Sequence, residues 1–265
     1  MKNILFYGAG NMGKAVLKGL LASGMPTSQF RIAGNRESSR TSIKSEFDVD
    51  FLENTEAFTW ADTIVLGIKP QIFAQVKAQL KAELADCSCT IISLMAGTSI
   101  AQLSSGLGSQ HTIVRTMPNL PLNVGEGAVS ICTDGLSSEV IQDVCTLFES
   151  AGIAVPIEER LIDSATALAG SAPAFVFQFA EGLIAGGVLE GMPRAQSEAL
   201  VLQALKGSVK MMIDSSESPS DLTTKVCSPG GTTIAGVHTL EKNNFKSTLM
   251  DTIRATAQRS KELGQ

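Results

Sequence analysis

The chain has 265 residues, enough for two domains of ordinary size. With 44% hydrophobic and 18% charged residues it is globular in composition, and 21 Lys+Arg against 26 Asp+Glu leave a net charge of -5. That balance leaves no basic surplus to neutralise phosphates, which argues against a nucleic-acid or anionic-membrane partner, and a single Trp and a single Tyr argue against a stacking platform for single strands.

Met1 to Leu21 has a Lys near its start and an apolar run, as a secretory leader would, but Asn11, Lys14 and Lys18 interrupt it. The same stretch reads better as strand, turn and helix. Asn3 to Tyr7 is apolar and stops at Gly8, and Ala15, Val16, Gly19 and Leu20 then share one helical face. Between them Gly8-Ala9-Gly10-Asn11-Met12-Gly13 is a G-x-G-x-x-G that follows a strand and opens a helix. Gly8 allows the tight turn, Gly10 lets backbone approach a pyrophosphate, Gly13 lets the helix pack on the strand, and the helix end supplies N–H groups to an anion. Asn11 and Met12 complete this expected cofactor loop.

Phe30 to Ala33 is the second strand. Just beyond it a dinucleotide-binding fold places the residue that reads the adenosine ribose, and here the chain reads Ala33-Gly34-Asn35-Arg36-Glu37. Asn35 and Arg36 offer donors to a 2′-phosphate where an Asp would repel it, so NADPH is expected over NADH. The alternative is a solvated Arg36, with Glu37 taking the ribose.

Asp62 to Ile68, Thr90 to Leu94, Thr112 to Val114, Ala128 to Cys132 and Ile153 to Ile157 continue the strands. Helical faces alternate with them: Ile72, Val76, Leu80 and Leu84, then Ile100 and Leu103, then Val140, Val144, Leu147 and Phe148. Short unalternating strands are those of a parallel sheet covered on both faces, so residues 1–157 read as a Rossmann-type doubly wound α/β domain.

From residue 158 strand patterns vanish. Phe175, Phe179, Leu183 and Leu189 make one helical face, Val201, Leu205, Val209 and Met212 another, and Phe245, Leu249, Ile253 and Ala257 a third. Residues 158–265 therefore read as an all-α domain with more apolar surface than it can hide, which implies a dimer, the alternative being a self-contained bundle. Gly182, Gly186, Gly187 and Gly191 lower helix propensity there, and close helix approach would offset that cost. Gln178 and Glu181 break the longest apolar candidate, so no membrane span is expected. Gly170-Ser171-Ala172-Pro173 reads as a helix start, with Pro in a first turn that tolerates it. Cys227-Ser228-Pro229-Gly230-Gly231-Thr232-Thr233 is a Gly-rich turn that feeds a helix and offers hydroxyls and N–H groups to a small anion; ordinary capping is the other reading.

The five cysteines are odd in number and hold no Cys-x-x-Cys, which suits reduced thiols in a cytoplasmic setting. Two histidines, His111 and His238, are too few for a zinc site.

The Gly8 to Gly13 loop, Val65-Leu66-Gly67-Ile68-Lys69-Pro70-Gln71, Arg115-Thr116-Met117-Pro118-Asn119, Gly170 to Phe175 and above all Pro219 to Glu241 resemble the pyrroline-5-carboxylate reductase family, in the family's order along nearly the whole chain. The resemblance implies reduction of the C=N bond of 1-pyrroline-5-carboxylate to L-proline by NAD(P)H, the last step of proline synthesis. It also implies that Lys69, Pro70 and Ala96 line the nicotinamide side and that Asn54 reaches the adenosine ribose. Ser228, Gly230, Gly231, Thr232 and Thr233 would hold the substrate, with the Thr233 hydroxyl on the ring nitrogen as the catalytic contact. The active site would lie at a homodimer interface, with decamers in many members. Leu120, Ala169 and Ala172 depart from the family's usual residues.

The chemistry fits what the chain lacks. From Asp163 to Pro193 there is neither Lys nor His, so a hydroxyacid dehydrogenase needing a proton donor on its first long helix is disfavoured. A protonated imine already attracts hydride and requires orientation more than an acid. Another imine or hydroxyacid reductase, or a non-catalytic NADP-binding regulator, are the other classes of this architecture.

Overall fold

Strands β1 (Ile4–Tyr7) and β4 (Thr63–Leu66) are fully buried along their length because they lie at the centre of a sheet covered on both faces. A computed structural model of the chain describes residues 1–34 and 43–264, which leaves Asn35, Arg36 and Glu37 outside the described residues. Among those described, β2 (Phe30–Ala33), β3 (Asp50–Phe51), β5 (Thr90–Ser93), β6 (Thr112–Met117), β7 (Gly127–Cys132) and β8 (Gly152–Ile157) complete one sheet in the order β3-β2-β1-β4-β5-β6-β7-β8. The short β3 is a strand that the sequence pattern did not reveal.

Period-two alternation sorts the strand side chains into two cores. Ile4, Phe6, Val65, Ile92 and Val114 face one layer, with α1 (Asn11–Ala22) and, after β7, α5 (Ser138–Glu149). Leu5, Tyr7, Ile64, Leu66, Ile91 and Ile113 face the other, with α2 (Asn54–Trp60), α3 (Pro70–Glu83) and α4 (Ile100–Leu107). This is the expected doubly wound arrangement. One pairing departs from it: β7 runs antiparallel to β6, with Thr116 opposite Ile131. The connection over residues 118–126 is shorter than the dozen or more residues a parallel crossover needs. The following β7-α5-β8 unit has its crossover helix, and β8 is parallel to β7. At the sheet edge β8 leaves Ile153 and Val155 exposed and carries Pro156, which an edge tolerates.

The chain divides into two units, Met1–Ser171 with the residues from Ala255 onward, and Ala172–Arg254. The first therefore runs past the expected division at 157. Residues 158–171 stay with the sheet through polar contacts: Glu159 Oε1 accepts from the buried Arg115 Nη1 at 2.9 Å and from Ile100 N at 2.8 Å, at the N-terminus of α4. Ser260 Oγ donates to Asp163 Oδ1 at 2.6 Å, which ties the C-terminal segment to the same region.

The second unit is helical: α6 (Ala172–Leu189), α7 (Arg194–Asp214), α8 (Pro219–Val226), α9 (Thr232–Lys242) and the first part of α10 (Phe245–Leu263). Gly187 explains one of the glycines, since a Cβ there would stand 2.7 Å from Ser197 Oγ of α7, whereas Gly182 and Gly186 have open space around them. Phe177, Leu189, Leu200, Met211 and Ile213 are more than half exposed. The expected helix start at Gly170-Ser171-Ala172-Pro173 is found, since α6 begins at Ala172 with Pro173 in its first turn, and helical turns also precede it. Helix extends from Glu159 to Leu189 and widens into a π turn at Thr166–Gly170. The most apolar 18 residues of this run have mean hydropathy 1.5, which by length and composition alone reaches the range of a membrane span in spite of Gln178 and Glu181.

Candidate active site

The ends of the central parallel strands converge at the sheet's carboxyl edge, where β1 and β4 are neighbours and the strand order reverses. Such an edge is where open α/β sheets bind ligands. Gly8 follows β1 and Ala96 lies beyond β5, two of the residues expected to meet the dinucleotide, and Gly34 after β2 and Gly67 after β4 share that rim.

Protein packing explains some of these glycines and leaves one over. Gly8 has φ +80°, and a Cβ there would stand 2.3 Å from Ile68 Cγ2. Gly13 would meet Gly8 O at 3.1 Å. Gly67 is the tightest, since its Cβ would overlap the carbonyl oxygen of Gly8, so the turn after β1 and the turn after β4 fit only without that side chain. Gly10 differs. Its φ is -72°, open to any residue, and the nearest atom to a Cβ is Gly67 O at an ordinary 3.6 Å. Nothing among the described residues requires glycine there, and the bare backbone leaves room for a ligand to approach. Gly10 is also the N-cap of α1 and supplies no side-chain cap, so the first turn through Asn11, Met12 and Gly13 presents its N–H groups to that space. The residues fit a dinucleotide pyrophosphate.

Lys69 is the exposed N-cap of α3, Pro70 fills its first position, and Ala96 is exposed on the loop after β5. Asn54 opens α2, and its Nδ2 donates to Glu83 Oε2 at 3.3 Å. Burial first, and then the Glu83 charge, push the Tyr7 phenol's pKa up, so it stays protonated. The Tyr7 ring closes against Gly34, whose φ is +72° and whose Cβ would lie 2.6 Å from the ring.

The Gly-rich turn of the helical unit forms as its sequence dictates. Gly231 N donates to Ser228 O at 3.0 Å, with Pro229 and the positive-φ Gly230 (+69°) between them, as a type II turn requires. Gly231 is the N-cap of α9 and gives no side-chain cap, which leaves Thr232 and Thr233 in the first helical positions. Gly231 N–H is engaged within the turn, so an anion would meet the N–H groups of Gly230, Thr232 and Thr233. Ser228, Gly230 and Thr232 are exposed and Thr233 is half-buried. A Cβ on Gly231 would strike Ser228 Oγ, a steric reason for the second glycine.

Sequence reasoning assigned no role to Gly67 or Asn119. A glycine directly after a buried strand was the available signal for Gly67. For Asn119 the signal is the proline at 173, through a contact described below.

Comparison with known proteins adds names to this geometry. A family model for pyrroline-5-carboxylate reductase dimerisation matches residues 159–263, and one described as NADP oxidoreductase coenzyme F420-dependent matches residues 3–97. The pyrroline-5-carboxylate reductase of Escherichia coli K12 is 36% identical, over 100% of this chain and 99% of its own. That of Arabidopsis thaliana is also 36% identical, over 98% and 95%. The crystal structure of Plasmodium falciparum pyrroline carboxylate reductase with NADP bound superposes with a TM-score of 0.87 at 34% identity, covering 99% of this chain and 98% of that one.

Proposed function

The chain belongs to the pyrroline-5-carboxylate reductase family, and on that premise we propose which residues carry its reaction and which dinucleotide it prefers. The protein is an NADP-binding oxidoreductase that reduces 1-pyrroline-5-carboxylate to L-proline, the last step of proline biosynthesis. A bound dinucleotide supplies the hydride. Residues 1–157 hold it: the uncapped first turn of α1 and the bare backbone at Gly10 take the pyrophosphate, Lys69, Pro70 and Ala96 border the nicotinamide, and Asn54 meets the adenosine ribose. Residues 158–265 bind the imine and pair the subunits.

On the substrate side the N–H groups of Gly230, Thr232 and Thr233, at the positive end of the α9 dipole, hold the carboxylate. The Thr233 hydroxyl contacts the ring nitrogen and orients the protonated imine. Hydride then adds to the iminium carbon as the C=N π pair returns to nitrogen, so the amine forms without a further proton and no Lys or His is needed over Asp163 to Pro193. The observation that carries this reading is the glycine at position 10, which no contact among the described residues requires.

NADPH is the preferred donor, on the strength of Asn35 and Arg36 after the second strand. The protein works as a homodimer, and a decamer of five dimers is the larger assembly, in a reducing cytoplasm where its five free thiols persist. A partner chain gives the exposed apolar helices a protein surface to cover them. Purified protein should oxidise NADPH when 1-pyrroline-5-carboxylate is added; no loss of NADPH absorbance sinks the assignment. Arg36→Ala should raise the KM for NADPH and leave that for NADH unchanged, and equal effects on both would remove Arg36 from phosphate recognition.

A further inference from the structure

Pro173, in the first turn of α6, has no N–H to offer the Ala169 carbonyl at the end of the preceding π turn, and a side chain from the loop after β6 meets that carbonyl. In a continuous helix the carbonyl of Ala169 accepts from the N–H of residue 173, and proline has none and crowds that carbonyl with its ring. Here the helix widens into the π turn Thr166–Gly170, with Ser171 N donating to Thr166 O at 2.8 Å. The Ala169 carbonyl is met instead by Asn119, whose Nδ2 donates to it at 3.2 Å. The other end of the same carboxamide is also used, since Asn119 Oδ1 accepts from Ala128 N of β7 at 2.9 Å. Asn119 is only 6% exposed, and both contacts are partly buried. Beside them Gly170 lies against Met117, where a Cβ would come within 2.7 Å of Met117 Cε. Met117 and Asn119 thus hold consecutive residues of one π turn, and π turns inside helices recur at functional positions.

We propose that Asn119 is a positioning residue for imine reduction: its carboxamide stands in for the N–H that Pro173 lacks and pins the π turn to β7. Residues 166–171 close the stretch of chain that belongs to the unit of the sheet, and the second, helical unit begins at Ala172. The backbone that Asn119 holds is therefore the backbone from which the substrate-binding helices start. Hydride transfer requires the reacting atoms within about 3.5 Å, and a displacement on the order of 1 Å costs roughly a hundred-fold in rate. Asn119 touches neither reactant in this account and acts through the Ala169 carbonyl.

The inference rests on the reductase assignment, and the two fail differently. Wild-type protein that does not oxidise NADPH with the imine sinks the assignment; an active wild type whose Asn119 variants match it sinks this inference. Asn119→Ala should lower kcat/KM for the imine by roughly ten-fold or more, with the NADPH Kd within about two-fold of wild type. Asn119→Asp keeps the shape and the acceptor for Ala128 N but, when ionised, offers Ala169 a second acceptor. Protonated, its O–H can donate to that carbonyl. Its activity relative to wild type should therefore climb as pH falls through the titration of the new carboxyl, a signature that simple loss of packing does not produce. Pro173→Ala restores the missing N–H, and in the Asn119→Ala background it should recover part of the loss. A ratio of Asn119→Asp to wild type that is flat with pH, or NADPH affinity weakened in parallel with turnover, overturns the proposal. Asn119→Asp also serves if Asn119→Ala does not fold.

Discussion

At the scale of single residues, hydrogen-bonding capacity separates groups that can act from groups that only pack. Thr233 stands in the first turn of an uncapped helix, half-buried, beside N–H groups that suit a carboxylate. Thr233→Ala should cut turnover about ten-fold, the equivalent of ~1.4 kcal/mol lost from a charge-assisted hydrogen bond, while NADPH affinity holds and Thr233→Ser recovers part. Wild-type turnover in a stably folded Thr233→Ala protein would remove the hydroxyl from the mechanism. His111 is the opposite case. It is buried, its Nε2 has no partner among the described residues, and its Nδ1 lies 3.5 Å from the Cys89 thiol. Burial pushes that thiol up to about 12, so it offers no counter-charge, and burial likewise lowers the imidazole below its ordinary 6.5. The folded state therefore binds the proton less readily than the unfolded chain, and stability should fall as pH drops through about 6.5. His111→Leu should flatten that part of a urea-midpoint profile against pH; an unchanged slope would place the acid sensitivity elsewhere.

Elements are fixed by what ties their ends. The N-terminus of α4 is closed by the Ser99 capping box with Gln102, and Glu159 then reaches the Ile100 N–H while it neutralises Arg115 from β6. The side chain of Arg115 is 9% exposed and that of Glu159 25%, so removing the carboxylate strands a largely buried guanidinium. Glu159→Ala should cost about 2–3 kcal/mol in denaturant unfolding, somewhat less than breaking a fully buried pair, and Glu159→Gln should cost less because it keeps the acceptor. Equal stability of all three proteins would show that the pair only decorates the joint. The capping box is a local pattern, with Ser99 and Gln102 three residues apart. Glu159 with Arg115 is not, since only the tertiary fold brings them within reach.

For the whole molecule the question is where the apolar helices find cover. Leu189 is 85% exposed, Ile213 76% and Met250 64%, in a region that matches the family's dimerisation model. Stretches of such surface mark an interface. Sedimentation at working concentration should give at least twice the chain mass of 27.8 kDa, with activity lost as dilution splits the assembly. A fully active single chain would contradict this.

The sequence by itself determined whatever depends on short spacing. The period-two and 3.6 patterns marked most strands and helices, the G-x-G-x-x-G fixed the turn after β1, and Ser-Pro-Gly-Gly-Thr-Thr fixed a turn feeding a helix. Only the tertiary structure decided which distant backbones approach. Gly67 has to be glycine because the Gly8 carbonyl lies where its side chain would be, and Asn119 gains its part because Pro173 leaves one carbonyl without an N–H. The antiparallel turn of β7, a sheet unit that continues to Ser171 and the return of the chain from Ala255 belong to the same class. Local pattern records a residue's preference for helix, strand or turn. Steric exclusion and hydrogen-bond replacement between residues far apart in sequence exist only once the chain has closed on itself.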